Sequence, residues 1–485
     1  MIELSIQEIL DITGGQATAT VQPATVISAV TTDSREVSVG ALFVAKPGEF
    51  SDGHAYIDSA LQAGAVAALA ERETFDASRT VHPAVIVADA VQAMGQLAAH
   101  IVQLLKSRND AVVVGITGSA GKTTTKDLLA TLLAQDAPTV APIGSYNGEV
   151  GVPLTVFTAT EDTKYLVIEM GATGIGHLSY LTDMVKPQLG VVLCVGSAHA
   201  GEFGGVDNIE RAKGELVEAL PATGTALLNH DDARVARMSS RTAANLGYFG
   251  AAGTAPESAA VWASDVTTDA RGQVNLTLNF PDGAKHRITS GLLGRHHATN
   301  IVAAASAAHA LGLAPELIAS TLNNLGAGSR WRMERTERAD GVTIINDAYN
   351  ANPDSMRAAL VTLAELGLPD EQGHARRTWA VLGAMLELGP DSVLEHDMLG
   401  RLAVRMNIKK LLVIGAEAKP AYNSAVLEGS WGDEAHYVPD VEEAKRFLTE
   451  QLRPGDIVLF KSSNGAGLRF LGDDIAALAE EGRGA

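Results

Sequence analysis

An apolar segment runs directly into a glycine-rich turn and then into a helix-forming segment between residues 113 and 125. Residues 113–117 predict a buried strand, and the turn after them is Gly118-Ser119-Ala120-Gly121-Lys122-Thr123-Thr124. Glycines let backbone N–H groups approach an anion, and the helix N-terminus adds positive potential. Lys122 would then reach the terminal phosphates of a nucleotide, and the Thr123 hydroxyl would ligate Mg²⁺. The sequence therefore predicts a phosphate-binding loop on an α/β sheet.

The spacing of this loop is unusual. Five residues separate Gly115 from Gly121, one more than in the common pattern G-x-x-x-x-G-K. The lysine and the threonines still follow in register after a buried strand. A glycine-rich turn that binds no ligand is the other interpretation, because such turns are common between the strands and helices of α/β proteins.

Length and cysteine content limit the class of protein. A chain of 485 residues is too long for one hydrophobic core and suggests about three domains. With 46% hydrophobic and 19% charged residues, the composition is that of an ordinary globular α/β protein. Cys194 is the single cysteine, which excludes an internal disulfide and a cysteine-rich zinc site. It indicates a reducing compartment, or at least a protein indifferent to oxidation. We predict that Cys194 lies in a buried strand.

The formal net charge is −20, from 37 basic and 57 acidic residues. It argues against a broad surface for nucleic acid or an anionic membrane, because both need clustered Lys and Arg. The first residues do not resemble a signal peptide, and no later window reaches about 18 uninterrupted apolar residues. We therefore expect a cytoplasmic protein, without membrane insertion, that meets anionic ligands with local positive charge. No dimerisation stripe is evident, and we expect a monomer.

Two breaks divide the chain into three segments. Residues 1–109 contain short apolar strands and a long amphipathic stretch, and the polar run 106–110 predicts a linker. Residues 110–328 alternate buried strands with helices, which is typical of a mostly parallel sheet, and residues 273–280 predict an antiparallel strand at its edge. After a glycine-rich break, the α/β alternation of residues 329–485 is typical of a separate doubly wound domain.

Glu169 and His199 follow two of the predicted strands of the second segment. Ligands of doubly wound sheets bind at the carboxyl ends of the strands. Each residue alone is more often an ordinary surface or core residue. Together, beside a phosphate loop, they favour a divalent-cation site, because phosphate transfer needs its charge neutralised.

Several motifs together resemble the Mur ligases, the ATP-dependent amide-forming enzymes of peptidoglycan precursor synthesis. The resemblance covers essentially the whole chain and implies an α/β fold of three domains. These would be a small N-terminal uridine-nucleotide domain, a central ATPase domain on a mostly parallel sheet, and a C-terminal Rossmann-like domain. Its motifs are the phosphate loop, Tyr146-Asn147, Gly151-Val152-Pro153, Glu169-Met170-Gly171-Ala172, Ala198-His199, Arg211-Ala212-Lys213-Gly214-Glu215, Gly294-Arg295-His296-His297-Ala298-Thr299-Asn300 and Asp347-Ala348-Tyr349-Asn350-Ala351-Asn352-Pro353.

The last of these motifs, followed by Ser355-Met356, resembles the MurF branch of the family. That branch adds D-alanyl-D-alanine to a UDP-N-acetylmuramoyl tripeptide. The resemblance implies that the γ-phosphoryl group of ATP activates a carboxylate as an acyl phosphate, which the amine of the dipeptide attacks. It also implies ATP and Mg²⁺, with two metal ions, as cofactors.

The resemblance implies roles for single residues in nucleotide and metal binding. ATP would contact Thr117, Gly118, Ser119, Ala120, Gly121, Lys122, Thr123, Thr124, Asn300, Arg332 and Asp347. Metal would be held by Thr123, Glu169, His199 and a CO₂-carbamylated Lys213, and the catalytic residues would be Lys122, Lys213 and His199. Without the resemblance, Lys213 would be a solvated surface lysine, and Asn300 would cap the alanine-rich helix predicted to begin there.

For the other two substrates the resemblance implies two further groups. Ser34, Arg35 and Asn147 would bind the UDP-linked substrate, because a guanidinium matches diphosphate oxygens, although Arg35 alone would be a solvated turn residue. The dipeptide side would be formed by Tyr349, Asn350 and Asn352. The chain departs from the family pattern at Gly148, Ala384 and Asn464, where Asn, an acidic residue and Arg are usual.

Three alternatives stay open on sequence alone. A MurE-type ligase would add a diamino acid to a UDP-muramoyl dipeptide. A phosphate-loop switch or transport ATPase would hydrolyse ATP without these substrates. A metal-independent nucleotide-sugar binding protein would keep its function after loss of Lys122.

Overall fold

The computed structural model describes residues 1–48, 51–196, 203–369, 372–429 and 432–481. Within them the chain forms three α/β units, each with its own main sheet, which confirms the predicted fold class. None of the helices in these ranges is long and apolar enough to cross a membrane.

The N-terminal unit is a five-stranded sheet in the order β2-β7-β6-β5-β4, with a separate antiparallel pair β1-β3. Strands β4 to β7 are parallel, and β2 pairs with β7 in the antiparallel direction. The strands are Leu4–Ser5, Gln16–Ala17, Val26–Ile27, Ala29–Thr31, Ala41–Ala45, Ala67–Ala70 and Ala84–Ile86 (β1 to β7), and the helices are Ile6–Thr13, Ile57–Ala63 and Ala90–Asn109 (α1 to α3).

Helix α3 corrects one prediction. Residues 106–109 do not form a linker, because α3 continues to Asn109 and Asp110 ends it in a left-handed conformation. Lys106 and Arg108 lie in its last turn, where cations are stabilised by the helix dipole. Their polarity is therefore that of an exposed helix end. Helix α3 packs against two helices of the central unit, Gly151–Val156 and His177–Val185.

The central unit is a nine-stranded sheet in the order β16-β15-β14-β13-β12-β11-β8-β10-β9. Strands β8 to β14 are parallel, and the last three form the antiparallel edge predicted from residues 273–280. The strands are Val112–Thr117, Thr139–Val140, Tyr165–Glu169, Leu189–Val192, Thr225–Asn229, Asn245–Gly250, Ala259–Thr268, Gln273–Asn279 and Lys285–Leu293 (β8 to β16). The helices are Lys122–Leu133, Gly151–Val156, His177–Val185, Val206–Glu218, Ala233–Arg237, His297–Ala310 and Pro315–Leu322 (α4 to α10).

Two features of this sheet prepare the site. Strands β10 and β11 flank β8 on either side and run parallel to it, so their carboxyl ends meet at one edge. Behind that edge lies α9, whose buried alanines allow the helix to lie close to the sheet and to α4. Cys194 is not a strand residue as predicted, because β11 ends at Val192 and the thiol lies in the loop beside the phosphate loop.

The C-terminal unit is a six-stranded sheet in the order β17-β18-β22-β19-β20-β21. All neighbours are parallel except the edge pair β17-β18, so the unit is doubly wound as predicted. The strands are Glu334–Glu337, Thr343–Asn346, Thr378–Leu382, Lys410–Ile414, Ala435–Val438 and Ile457–Lys461 (β17 to β22), and the helices are Pro353–Leu366, Ser392–Arg405, Lys419–Leu427, Val441–Gln451 and Leu468–Glu481 (α11 to α15).

Candidate active site

The predicted phosphate loop connects β8 to α4. Lys122 is the first residue of α4, and Gly121 before it has φ 82°, a left-handed conformation that favours glycine. A Cβ at Gly121 would also lie only 2.2 Å from Asn300 Oδ1. Both observations explain why a glycine is needed at this turn.

The Lys122 side chain lies back over its own loop, with Nζ donating to the Gly118 carbonyl at 2.8 Å. Burial lowers the pKa of Lys122, while the nearby Glu169 carboxylate opposes this effect. Among the described residues no carboxylate is hydrogen-bonded to Lys122 Nζ, so the amine is available to an arriving phosphate.

Glu169, at the end of β10, is fully buried and accepts three hydrogen bonds. Its Oε2 accepts from Thr123 Oγ1 at 2.9 Å, and its Oε1 accepts from Ser145 Oγ and Asn147 Nδ2, both at 2.7 Å. The sequence did not single out Ser145, which lies in a polar loop without a distinguishing pattern. Asn147, predicted to bind the UDP-linked substrate, lies in this cluster beside the phosphate loop.

Lys213 lies on α7 with only 4% of its surface exposed, so it is not the solvated lysine that its sequence context alone suggests. Burial, with a contribution from the Lys122 cation, lowers the pKa of Lys213 to about 7. Two residues further on, Glu215 accepts from Gly176 N at 2.6 Å and Ser179 N at 2.9 Å. The carboxylate thus binds the N-terminus of α6 and fixes α7 against it.

Arg332 reaches the phosphate loop from the segment that leads into the C-terminal unit. Its Nη2 donates to Thr123 Oγ1 at 3.1 Å, and its guanidinium lies 4.4 Å from the centre of the Tyr349 ring. Its Nε is buried without a hydrogen-bond partner in the part of the chain that the structure describes. Arg332 is therefore a cation at the junction of two units.

Asp347 lies behind Arg332, and both of its carboxylate oxygens are bonded within the chain. Oδ1 accepts from Met333 N at 3.1 Å, and Oδ2 accepts from Lys461 Nζ at 2.6 Å. Lys461 was not singled out from the sequence, because its pairing with Asp347 joins strands that are far apart in sequence. A direct contact of Asp347 with ATP stays a prediction.

Asn300 does not cap its helix, because α9 begins three residues earlier, at His297. The amide is buried and lies next to Gly121, with Nδ2 3.0 Å from His297 Nδ1. Asn300 therefore supports the phosphate loop from below. Its predicted contact with adenine is not tested by this geometry.

A cavity of about 780 Å³ joins the central and C-terminal units over the phosphate loop. It brings together these residues singled out from the sequence: Gly118, Ser119, Ala120, Gly121, Lys122, Thr123, Thr124, Asn147, Glu169, Lys213, Arg332, Tyr349, Asn350 and Asn352. Gly148 and Asn464, two of the departures from the family pattern, also line it. Thr117, Asn300 and Asp347 lie outside the lining, and His199 lies outside the described residues.

Ser34 and Arg35 do not line this cavity. Arg35 is exposed over 86% of its side chain and pairs with Asp33, its Nε lying 2.9 Å from Asp33 Oδ1. The guanidinium lowers the pKa of Asp33 to about 2. Asp33, Ser34 and Arg35 therefore form a polar turn on the N-terminal unit, separate from this cavity.

The amino-acid sequence is similar to that of known ligases along its whole length. Residues 26–102 match the catalytic domain of the Mur ligase family, residues 116–308 the Mur ligase middle domain, and residues 331–464 the Mur ligase glutamate ligase domain. A UDP-N-acetylmuramoyl-tripeptide--D-alanyl-D-alanine ligase of Mycobacterium tuberculosis (strain ATCC 25618 / H37Rv) is 40% identical over 510 residues, covering 98% of each chain. The enzyme of that name from Bacillus subtilis (strain 168) is 30% identical, covering 98% of this chain and 99% of the relative.

The fold is also similar to that of solved structures. A crystal structure of MurF from Acinetobacter baumannii aligns with a TM-score of 0.83 and 30% identity, covering 98% of this chain and 99% of that one. MurF ligase from Thermotoga maritima in complex with ADP aligns with a TM-score of 0.74 and 27% identity, covering 94% and 98%.

Proposed function

The chain belongs to the Mur ligase family, and from this we propose that it joins D-alanyl-D-alanine to a UDP-N-acetylmuramoyl tripeptide, converting ATP to ADP and phosphate. The observation that carries the assignment is the 40% identity, over 98% of both chains, to a ligase of that name. Such full-length similarity disfavours the alternatives of a nucleotide switch and of a binding protein without catalysis. It disfavours the MurE-type alternative as well, because these relatives carry the name of the D-alanyl-D-alanine-adding enzyme.

The residues around the cavity suit the two steps of this reaction. A carboxylate is a poor electrophile, so its oxygen first takes the γ-phosphoryl group of ATP, and ADP leaves. The dipeptide amine then attacks the acyl carbon, loses a proton, and phosphate leaves. Lys122, Arg332 and the N-terminus of α4 all present positive potential where negative oxygens accumulate.

Thr123 and Glu169 suit a Mg²⁺ ion. Their hydroxyl and carboxylate oxygens lie 2.9 Å apart beside the phosphate loop, and Mg²⁺ prefers such ligands together with phosphate oxygens and water. The described residues hold no group of three or more His, Cys, Asp or Glu that would form a complete protein cage, which is compatible with a metal held partly by nucleotide. When bound, Mg²⁺ would neutralise phosphate charge. The other proposed metal ligands are His199 and a carbamylated Lys213, and the carbamate would help to hold a second Mg²⁺.

Lys213 suits modification by CO₂, which reacts with the neutral amine. A buried lysine with a pKa of about 7 is largely neutral just above that pH, whereas an exposed lysine is protonated. The carbamate would place an anion, instead of this amine, beside the Lys122 cation. That anion would help to hold a second Mg²⁺.

The substrates divide among the three units in this proposal. The N-terminal unit, residues 1–109, would hold the uridine diphosphate at Ser34 and Arg35, and Asn147 would face the peptide end. The central unit, residues 110–328, would hold ATP. The C-terminal unit, residues 329–485, would receive the dipeptide beside Tyr349, Asn350 and Asn352, and closure over the cavity would protect the acyl phosphate from water. We propose a cytoplasmic monomer.

Substrate dependence tests the proposed function. We expect release of ADP and phosphate only when UDP-muramoyl tripeptide, D-alanyl-D-alanine, ATP and Mg²⁺ are all present, with the pentapeptide product visible by mass spectrometry. The matched control replaces tripeptide and dipeptide by UDP-muramoyl dipeptide and a diamino acid. Rapid turnover of that second pair would assign the chain to the MurE-type activity instead.

A further inference from the structure

The segment that carries Arg332 has an unusual backbone on both sides of it. Trp331 has φ 58° and Met333 has φ 52°, so two bulky residues are left-handed within three positions. This conformation is unfavourable for residues with a Cβ and persists only where surrounding contacts hold it. Specific contacts must therefore hold this segment in place, and the hydrogen bonds of Trp331 and Met333 identify them.

Three N–H groups of Trp331 and Met333 are hydrogen-bonded to carboxylates. Trp331 N donates to Glu334 Oε2 at 2.9 Å, and the Trp331 indole N–H donates to Asp473 at 3.0 Å. Met333 N donates to Asp347 Oδ1 at 3.1 Å. Glu334 and Asp473 are about one-third exposed, whereas only 12% of the Asp347 side chain is exposed. The bond to Asp347 is therefore the one best protected from water.

Lys461 is the buried cation that keeps Asp347 in this position. Its side chain is 3% exposed, and Nζ lies 2.6 Å from Asp347 Oδ2. The same Nζ donates to the Asn350 carbonyl at 3.1 Å. A buried carboxylate needs a paired cation, so the Lys461 ammonium compensates the Asp347 charge and holds the carboxylate where Oδ1 accepts from Met333 N.

The loop held by Lys461 also supports the Arg332 guanidinium. Tyr349, whose ring lies under that guanidinium, precedes Asn350 and donates its backbone N–H to the Trp331 carbonyl at 3.4 Å. Lys461 thus contacts Asp347, which binds the backbone next to Arg332, and Asn350, which follows the tyrosine beneath the Arg332 side chain. It does not line the cavity itself.

We propose that Lys461 is a positioning residue for ligation, which acts through Asp347 and Met333 N to direct Arg332 at Thr123 of the phosphate loop. The expected effect on kcat rests on the proposed function. The expected effect on the phosphate loop is independent of the peptide substrates, because ATP binding can be measured without them.

A double-mutant cycle between Lys461 and Arg332 tests the proposal. We expect Lys461→Met to lower kcat at least tenfold and to leave the KM for the UDP-linked substrate within about twofold. In an Arg332→Ala background, the same substitution should change kcat less than twofold, because the group that Lys461 positions is gone. Equal losses in both backgrounds, or a kcat near wild type for Lys461→Met, would overturn the proposal.

The Arg377–Asp456 pair provides a matched control. It is a partly buried ion pair of 2.6 Å in the same unit, with Asp456 just before the start of β22, whereas Lys461 is at the end of that strand. Arg377→Met should lower the melting temperature, yet its effect on kcat should be small and additive with Arg332→Ala. A coupling as large as that of Lys461 would mean that loss of stability alone explains the kinetic effect, and would overturn the positioning role.

Binding of a non-hydrolysable ATP analogue separates this proposal from the proposed function. The same cycle should show that Lys461→Met weakens binding in the wild-type background and not in Arg332→Ala. If the wild type proves inactive with the peptide substrates, this non-additivity still supports the positioning role, and additivity still overturns it. If Lys461→Met does not fold, Lys461→Gln replaces it in the cycle; it removes the cation that pairs with Asp347, and the same non-additivity with Arg332→Ala is expected.

Discussion

The Lys213 amine shows how the surroundings of a single residue change its chemistry. The sequence around it would suit a solvated helix surface, yet the side chain is buried near a second lysine and its pKa falls to about 7. An exposed lysine has a pKa of about 10.4 and is almost fully protonated in a cell. Burial therefore turns Lys213 into an amine that can react with CO₂.

This pKa predicts how reactivation by CO₂ depends on pH. After removal of CO₂ at low pH, activity should return on addition of CO₂ at a rate proportional to the neutral fraction of Lys213. That rate should rise about tenfold from pH 6 to 8 at constant dissolved CO₂ and then level off, because the folded pKa lies near 7. It can be followed as phosphate release and as the ¹³C signal of a carbamate.

An ordinary lysine gives a different curve for the same experiment. Its neutral fraction would keep rising about tenfold per pH unit through pH 9. Such a profile would contradict the buried-amine account. Lys213→Ala provides the control, since it should be inactive, insensitive to CO₂ and partly rescued by small carboxylic acids.

Local motifs allowed many residues of the site to be predicted from sequence, because their geometry depends on neighbours in the chain. Lys122 and Thr123 follow their strand after one short turn, and Glu169 ends a strand whose parallel neighbour leads into that turn. Ser145 and Lys461 were not predicted as parts of the site. Ser145 comes from an irregular loop, and Lys461 meets Asp347 across strands that are 114 residues apart in sequence.

Packing between elements explains the glycine after Lys213. Arg241 lies across α7, with Nη1 donating to the Glu210 carbonyl at 3.1 Å and Nη2 donating to the Arg211 carbonyl at 2.8 Å. A Cβ at Gly214 would lie 1.8 Å from Arg241 Nη1. A glycine within a helix costs about 1 kcal/mol relative to alanine, so its presence here reflects the close approach of the arginine.

This contact predicts that Gly214→Ala destabilises the protein despite the better helix propensity of alanine. We expect the free energy of unfolding to fall by about 1–3 kcal/mol, as is usual when a packed contact is overfilled. Urea denaturation measures the change. Removal of the arginine in the double variant Gly214→Ala/Arg241→Ala should cost less than the sum of the two single changes, because the clash disappears.

The matched control uses a second arginine near the same helix. Arg237 pairs with Glu210 at 2.8 Å and is 63% exposed. Arg237→Ala should add to Gly214→Ala without relief, since its side chain does not contact the glycine. Equal relief by both arginine substitutions would indicate a general charge effect and contradict the steric account.

Element boundaries were harder to predict than the elements themselves. A linker was predicted at residues 106–110 from their polarity, but α3 continues to Asn109. An exposed helix end and a linker have the same polar composition. Cys194 was placed in a strand because the apolar run continues past Val192, where the chain leaves the sheet to support the phosphate loop. In both cases tertiary packing decided the outcome.

At the scale of the whole molecule, the protein and its nucleotide substrates carry net charges of the same sign. The protein carries −20, while ATP and a UDP-linked peptide are anionic. Repulsion by the overall charge acts over a Debye length, about 10 Å at 0.1 M salt, whereas Lys122 and Arg332 act at contact distance inside the cavity. The two effects therefore respond differently to ionic strength.

We expect kcat/KM for both anionic substrates to rise about two- to threefold between about 20 and 150 mM KCl at constant free Mg²⁺, because salt screens the long-range repulsion first. The KM for D-alanyl-D-alanine, a zwitterion without net charge, should stay nearly constant and provides the internal control. Steady-state phosphate release measures all three values. A fall of kcat/KM with added salt would show that the local cations already dominate the field outside the cavity, and that the acidic surface has no influence on substrate capture.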